Sequence, residues 1–163
     1  MRLILPLLAL TLAACATAPE PEPVTYSGTP QEQWVQGQKA YEAWSAKRRG
    51  WKTTESGLQH RRVKAAPASA PRPTAEDVVT IHYVGRFIDG RVFDSSRGRN
   101  QPATFPLPQL IKGWQEGVPM MRVGEVWEFV IPSHIAYGER DRPPIPPGST
   151  LLFEIELLGI GSE

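Results

Sequence analysis

One short run constrains the fold more than any other. Val79, Ile81 and Tyr83 alternate with Thr80, His82 and Val84, the two-residue period of a half-buried strand. Asp89-Gly90 comes next, a pair suited to the two positive-φ positions of a type I′ turn, and residues 91–93 start a return strand. The same period recurs downstream. Trp127, Phe129 and Ile131 share one face of residues 126–131, and Leu151, Phe153, Ile155 and Leu157 point inward along residues 150–160. Residues 58–64 add a shorter strand, giving about five antiparallel strands. Residues 108–116 are the one helical stretch in this region, brief and interrupted by Gly113. Leu110, Ile111 and Trp114 on it must cover the apolar face of the sheet, an α+β arrangement. The connections are a Pro/Ala loop over residues 65–74 and a Pro-laden loop over residues 133–148.

Asp94 disturbs this pattern. It arrives directly after Phe93, where the apolar face should still be filling. A carboxylate beside aromatic rings is costly unless it is paired and hydrogen-bonded. One reading is a cap on Ser95-Ser96 at the end of the hairpin; the other is a functional group. The usual partners for bond-breaking chemistry are missing. His60, His82 and His134 are widely spaced with no carboxylate or cysteine pattern around them, which argues against a metal site. Ser95-Ser96 has no companion histidine in a defined role, and Met120-Met121 reads as core filler.

The N-terminus is of another kind. Met1-Arg2 is a basic start, and residues 3–14 (LILPLLALTLAA) are apolar, shorter than the ~20 residues a membrane-spanning helix needs. That is the length of a signal-peptide core. Cys15 follows it and is the only cysteine in the chain. Leu12-Ala13-Ala14-Cys15 looks like a bacterial lipobox, whose cysteine is acylated and becomes the mature N-terminus. The alternative is plain secretion, with small-x-small cleavage sites at Ala14-Cys15-Ala16 and Ala16-Thr17-Ala18. A lone cysteine excludes an intramolecular disulfide. Residues 15–29, rich in Pro and Glu, read as an extended tether.

Residues 30–50 are expected to form an N-terminal helix. Thr29, Pro30 and Glu32 make a capping box with proline at the first position, and Lys47-Arg48-Arg49-Gly50 supplies a cationic end closed by glycine. Trp34, Tyr41, Trp44 and Arg48 fall on one stripe. Such a stripe needs a partner surface, either the protein's own domain or a second copy. Residues 51–163 form the remaining domain. Without residues 1–14 the chain loses Arg2 and no acid, leaving 17 basic and 17 acidic side chains, so charge gives no case for nucleic-acid binding. Lys47, Arg48, Arg49, Lys52, Arg61, Arg62 and Lys64 against Glu55 are a local excess. It reads as a solvated face or as a contact with anionic lipid or cell-wall polymer.

Four segments, in order, carry a family resemblance: VTIHYVGRFIDGRVFDSS (79–96), PATFPLPQLIKGWQEGVPMMRVGE (102–125), AYGER (136–140) and IPPGSTLLFEIELL (145–158), preceded by WKTTESGLQ (51–59). Together they resemble the FKBP-type peptidyl-prolyl cis-trans isomerases, in the bacterial branch that includes the Mip-like proteins. The resemblance implies a five- to six-stranded antiparallel sheet wrapped around the short helix, with an apolar pocket between them. Its wall would be Tyr83, Phe93, Asp94, Phe105, Leu110, Ile111, Trp114, Tyr137, Ile145 and Phe153, with Trp114 as floor. Tyr137 and the Ile111 N–H would donate to carbonyl oxygens of a bound peptide, and Arg99 falls where the family places a cation near the aspartate. Asp94, Tyr83 and Tyr137 would be the catalytic set.

The resemblance also implies activity on proline-containing polypeptides of exported proteins, sensitivity to macrolide inhibitors, and no metal or cofactor. With the lipobox it implies a monomer anchored in the cell envelope and facing the periplasm, Mip-like dimers using a much longer helical N-terminus. The alternative is a peptide-binding module or chaperone with incidental turnover. Two departures stand out. Ala103 replaces a pocket aromatic of some members, and Asp141-Arg142-Pro143 replaces a small, glycine-containing stretch, which leaves the substrate preference open.

Overall fold

Strand β3 (Val78–Arg86) organises the sheet, as its alternation predicts: Val79, Ile81 and Tyr83 are buried and Thr80, His82 and Val84 are not. The structure, a computed structural model, describes residues 26–161. The signal peptide, Cys15 and most of the tether lie outside the described residues. Helix α1 (Pro30–Ser45) comes first, then β1 (Lys52–Thr53), β2 (Gln59–Lys64), β3, β4 (Val92–Ser95) and β5 (Ala103–Pro106). Helix α2 (Lys112–Gly117) follows, and β6 (Val126–Ile131) and β7 (Leu151–Ile160) complete the order. The strands make one antiparallel sheet in the order β1-β2-β6-β7-β3-β4, with β5 pairing β3. β4 pairs residues 84–86 of β3 and β5 pairs residues 78–81. β1 and β5 are additions to the strands that periodicity picks out.

The hairpin turn differs from the expected type. Phe87 N–H bonds Arg91 O at 2.9 Å and Gly90 N–H bonds Phe87 O at 2.9 Å, so three residues, not two, close the loop. Gly90 alone takes positive φ, at 85°. This is a type I turn followed by a left-handed glycine. The one-residue difference sets which side chains of β4 face the sheet's apolar side.

Helix α2 lies unusually close to β6. A Cβ on Gly113 would come 2.5 Å from Ile131 Cγ2, so the glycine that interrupts the helical pattern is what lets the helix settle on the sheet. The core between them includes Leu107, Trp114, Val118, Met121, Phe129, Ile131, Ile155 and Leu157.

Helix α1 begins as predicted, with the Thr29–Glu32 capping box in place. It ends at Ser45, short of the expected basic terminus. There the Lys47 and Arg48 N–H groups turn back to Trp44 O and Ser45 O, and the Arg48 guanidinium sits between the Trp44 and Trp51 rings, 4.7 and 4.2 Å from their centroids. The helix docks on its own domain, but through a polar seam. Gln38 and Ser45 are the buried residues, at 2 % and 0 % exposed, while Trp34, Tyr41 and Trp44 are half-buried. Gln38 Oε1 accepts the Thr150 N–H at 2.9 Å, Thr150 Oγ1 donates to Glu42 Oε1 at 2.7 Å, and Gln59 Nε2 donates to Glu42 O at 2.8 Å. Trp34 Nε1 donates to Pro147 O at 3.1 Å. Part of the basic excess is absorbed by ion pairs: Arg61 with Glu128, Arg62 with the fully buried Glu125, and Lys64 with Glu156.

Candidate active site

The site grows from β3 and its neighbours. Tyr83 comes from β3, Phe93 and Asp94 from β4, Phe105 from β5, Trp114 from α2 and Phe153 from β7. Leu110 and Ile111 precede α2, and Tyr137 follows the single turn at Ser133–Ile135. These side chains, with Gln109 and Arg142, line a cavity of about 280 Å³.

Trp114, 5 % exposed, is at its centre. Its ring meets Phe153 at 5.1 Å and 87°, Tyr83 at 5.4 Å and 78°, and Phe105 at 6.4 Å and 73°. Phe93 in turn meets Phe153 at 5.7 Å and 90°. Edge-to-face contacts of this kind are favoured by the ring quadrupoles, and they fix an aromatic box without filling it.

Tyr83 is held at both ends. Its backbone N–H donates to the fully buried Ser96 Oγ at 2.7 Å, and the Ser96 N–H returns to Tyr83 O at 3.1 Å. His82 Nδ1 lies 3.1 Å from the same hydroxyl, so this histidine is half-buried and engaged rather than free on the strand surface. At its other end the Tyr83 hydroxyl donates to Asp94 Oδ2. Arg99 Nη1 donates to Asp94 Oδ1, and Arg99 Nη2 donates to the Tyr83 oxygen at 3.1 Å. The three groups form a closed triangle, a different arrangement from a simple cap on Ser95-Ser96.

Partial burial alone would raise the Asp94 pKa, but the hydrogen bonds from Tyr83 and Arg99 and the guanidinium charge outweigh it and hold the group below its ordinary range. The Tyr83 phenol moves up, chiefly from burial and then from Asp94. Arg99 moves up through its bonds to Asp94 and Tyr83. The site therefore holds a carboxylate, a neutral phenol and a guanidinium at neutral pH, none poised to exchange a proton.

Two donors open onto this cavity unused. The Tyr137 hydroxyl and the Ile111 N–H make no hydrogen bond among the described residues. Each can meet a ligand carbonyl.

Of the sequence-derived site residues, Tyr83, Phe93, Asp94, Phe105, Leu110, Ile111, Trp114, Tyr137 and Phe153 come together on the cavity. Two do not line it. Arg99 acts through Asp94 and Tyr83. Ile145 is buried at 6 % exposure in the same hydrophobic core as Tyr83, Trp114 and Phe153, and its N–H bonds Arg142 O at 2.7 Å. It anchors the loop behind Arg142. Gln109 and Arg142 line the cavity without having been picked as wall residues; the only signal was the unusual Asp141-Arg142-Pro143 stretch.

Comparison with known proteins agrees with this geometry. The family model for FKBP-type peptidyl-prolyl cis-trans isomerases matches residues 70–158. The chain is 48% identical over 120 residues to the FKBP-type peptidyl-prolyl cis-trans isomerase FkpA of Aeromonas hydrophila, covering 74% of this chain and 44% of that protein. It is 46% identical over 112 residues to the peptidyl-prolyl cis-trans isomerase Mip of Coxiella burnetii, covering 68% and 48%. The chain thus spans about half the length of the curated relatives it matches. The crystal structure of a peptidyl-prolyl cis-trans isomerase from Pseudomonas syringae superposes with a TM-score of 0.74 at 33% identity, covering 84% of this chain and 100% of that one.

Proposed function

The chain belongs to the FKBP-type peptidyl-prolyl cis-trans isomerase family, and from that premise we propose that it accelerates rotation about Xaa-Pro bonds in exported proteins. The observation that carries this reading is the aromatic cavity with two unused donors, Tyr137 hydroxyl and Ile111 N–H, beside a carboxylate held by Tyr83 and Arg99. Rotation about an amide has a barrier of about 18–20 kcal/mol because it sacrifices resonance. Before proline the two isomers differ by only about 0.5–1 kcal/mol, yet exchange takes tens of seconds or longer. No bond breaks, so neither nucleophile nor general base is required.

A prolyl segment enters the box with its ring against Trp114. Carbonyl oxygens flanking the rotating bond take the Tyr137 and Ile111 donors. The twisted amide is less dipolar than the planar one, so an environment poor in water disfavours it less. Asp94, fixed and charged, presents negative potential toward the carbonyl carbon as conjugation is lost. Lowering the barrier by about 7 kcal/mol corresponds to roughly 10⁵-fold. Macrolide inhibitors of the family compete for the same box.

The N-terminal residues support a cell-envelope location for this activity. Residues 1–14 direct export and Cys15 carries the lipid anchor, with two or more acyl chains needed for stable attachment. Similarity to Mip of Coxiella burnetii supports the Mip-like branch. The docking of α1 on its own domain supports a monomer. A protease-coupled assay on a Xaa-Pro peptide, using soluble protein lacking residues 1–18, tests the activity. Acceleration that is abolished by a macrolide supports it. Peptide binding without acceleration would instead identify a chaperone.

A further inference from the structure

We infer that Arg142 makes this site select substrates with an acidic residue immediately before proline. The inference rests on the isomerase reading above and names its substrate class.

Only two charged side chains line the cavity, Asp94 and Arg142. They differ in one decisive way. Asp94 is consumed by Tyr83 and Arg99, whereas Arg142 makes no ion pair and no side-chain hydrogen bond among the described residues. Its guanidinium lies over the Tyr137 ring, 4.6 Å from the centroid. A guanidinium stacked on an aromatic face leaves its N–H edge free for a carboxylate, with less freedom to lose on binding than a mobile lysine.

The position is fixed from behind as well. The backbone of Arg142 bridges to Ile145, which is buried in the core. Neighbouring acids do not compete. Glu139 faces α1, lining a separate hollow with Gln31 and Val35, and Asp141 is exposed and outside the cavity lining. Asp94 already has its counter-ion in Arg99, so Arg142 is the one charged side chain of the lining without an ion-pair partner among the described residues, and it lies over the Tyr137 ring, whose hydroxyl is offered to a carbonyl flanking the rotating bond. A glutamate before proline meets it; a lysine is repelled.

The pair is solvent-accessible, which limits its size. Exposed ion pairs give on the order of 0.2–1 kcal/mol, so a glutamate peptide should exceed its glutamine counterpart by roughly 1.4- to fivefold in kcat/KM. The gain should shrink at 1 M salt, where the screening length is about 3 Å.

The test uses the full-length chain and four peptides differing only before proline: Glu, Gln, Leu and Lys. Both kcat/KM and peptide affinity are measured, and the Glu/Gln ratio is read rather than any absolute rate. The expected ratio exceeds one, falls with salt, collapses to about one in Arg142→Met, is partly kept in Arg142→Lys, and turns in favour of Lys in Arg142→Glu. A ratio of one or less in the unaltered chain, or a ratio untouched by Arg142→Glu, overturns the assignment. Absence of turnover with all four peptides overturns the isomerase reading instead, and the affinity ratios then still decide whether Arg142 selects the acidic residue.

Discussion

The Tyr83 hydroxyl donates to Asp94 Oδ2 while Arg99 holds Oδ1 of the same carboxylate, so both oxygens of Asp94 are engaged before any ligand arrives. Its negative charge remains, yet its capacity to accept a proton at neutral pH does not. That distinction separates an electrostatic role from acid–base chemistry, and it makes the first two predictions.

Asp94→Leu should lower kcat/KM at least tenfold while the fold survives, because the group is peripheral to the core and its side chain is 43% exposed. Arg99 would lose its carboxylate partner but keep its bond to the Tyr83 oxygen at a solvent-facing position, which proteins tolerate. Circular dichroism checks the fold and the protease-coupled assay checks the rate. Unchanged turnover in a folded Asp94→Leu variant would remove the carboxylate from the mechanism.

Stability should carry the signature of the same pairing. The folded-state pKa of Asp94 lies below its unfolded value, so its contribution is fully present above the unfolded value, ~4, and is lost as pH falls through the folded one. The difference in Tm between the native chain and Asp94→Asn should therefore be constant from pH 7 to about 5 and shrink below about 4. A difference that grows on acidification would contradict the pairing.

Gly113→Ala should destabilise the domain by about 1–3 kcal/mol through overpacking, since the new Cβ would sit 2.5 Å from Ile131 Cγ2. Helix propensity alone favours alanine over glycine by about 1 kcal/mol, so the two effects oppose each other and the steric one is expected to win. Urea denaturation decides the sign, and in an Ile131→Ala background, which lacks Cγ2, the penalty of Gly113→Ala should shrink. A stabilised Gly113→Ala variant would show that α2 shifts away from β6 with little penalty.

How much of this was legible in the sequence depended on how local the cause was. The long strands β3, β6 and β7 declare themselves because large apolar side chains recur at every second position: Val79, Ile81 and Tyr83; Trp127, Phe129 and Ile131; Leu151, Phe153, Ile155 and Leu157. Strand β1 has two exposed residues, and β5 is four residues ending in Pro106, so neither can show a period. Asp89-Gly90 reads identically for two- and three-residue loops; the pairing of Phe87 with Arg91 settles it, and that is a register, not a local preference. Asp94 announced itself as a misfit, whereas its partners came only from resemblance to a family. Arg142 was not legible as a lining residue because which side chains of a proline-rich loop face the cavity depends on what lies beneath the loop. The polar share of the α1 seam was not legible for a related reason. Three aromatics outweigh Gln38 and Ser45 on a helical wheel, yet the surface they meet offers the Thr150 N–H and the Gln59 amide, which favour polar partners.

Cys15→Ser should abolish acylation and leave either an uncleaved precursor or a soluble form released from membranes. Mass spectrometry of the unaltered protein should find the mature N-terminus at Cys15 with its acyl chains. A mature N-terminus at Thr17 or Pro19 would show plain secretion instead.

Docking of α1 predicts both a stability effect and an oligomeric state. Gln38 is 2 % exposed and its Oε1 is the acceptor for the Thr150 N–H at 2.9 Å. Gln38→Leu leaves that buried donor without a partner, a loss of about 1–3 kcal/mol. The effect should appear as early exchange of the Thr150 amide and of α1 amides, because the seam rather than the sheet is weakened. Trp34→Phe should cost less, since only the indole bond to Pro147 O at 3.1 Å is lost from a half-buried side chain. With the helix engaged in this way on its own domain, the soluble form should sediment as a monomer at micromolar concentration. A dimer that falls apart on Trp34→Glu and Trp44→Glu substitution would mean that α1 serves a second copy, and that the seam seen here gives way on association.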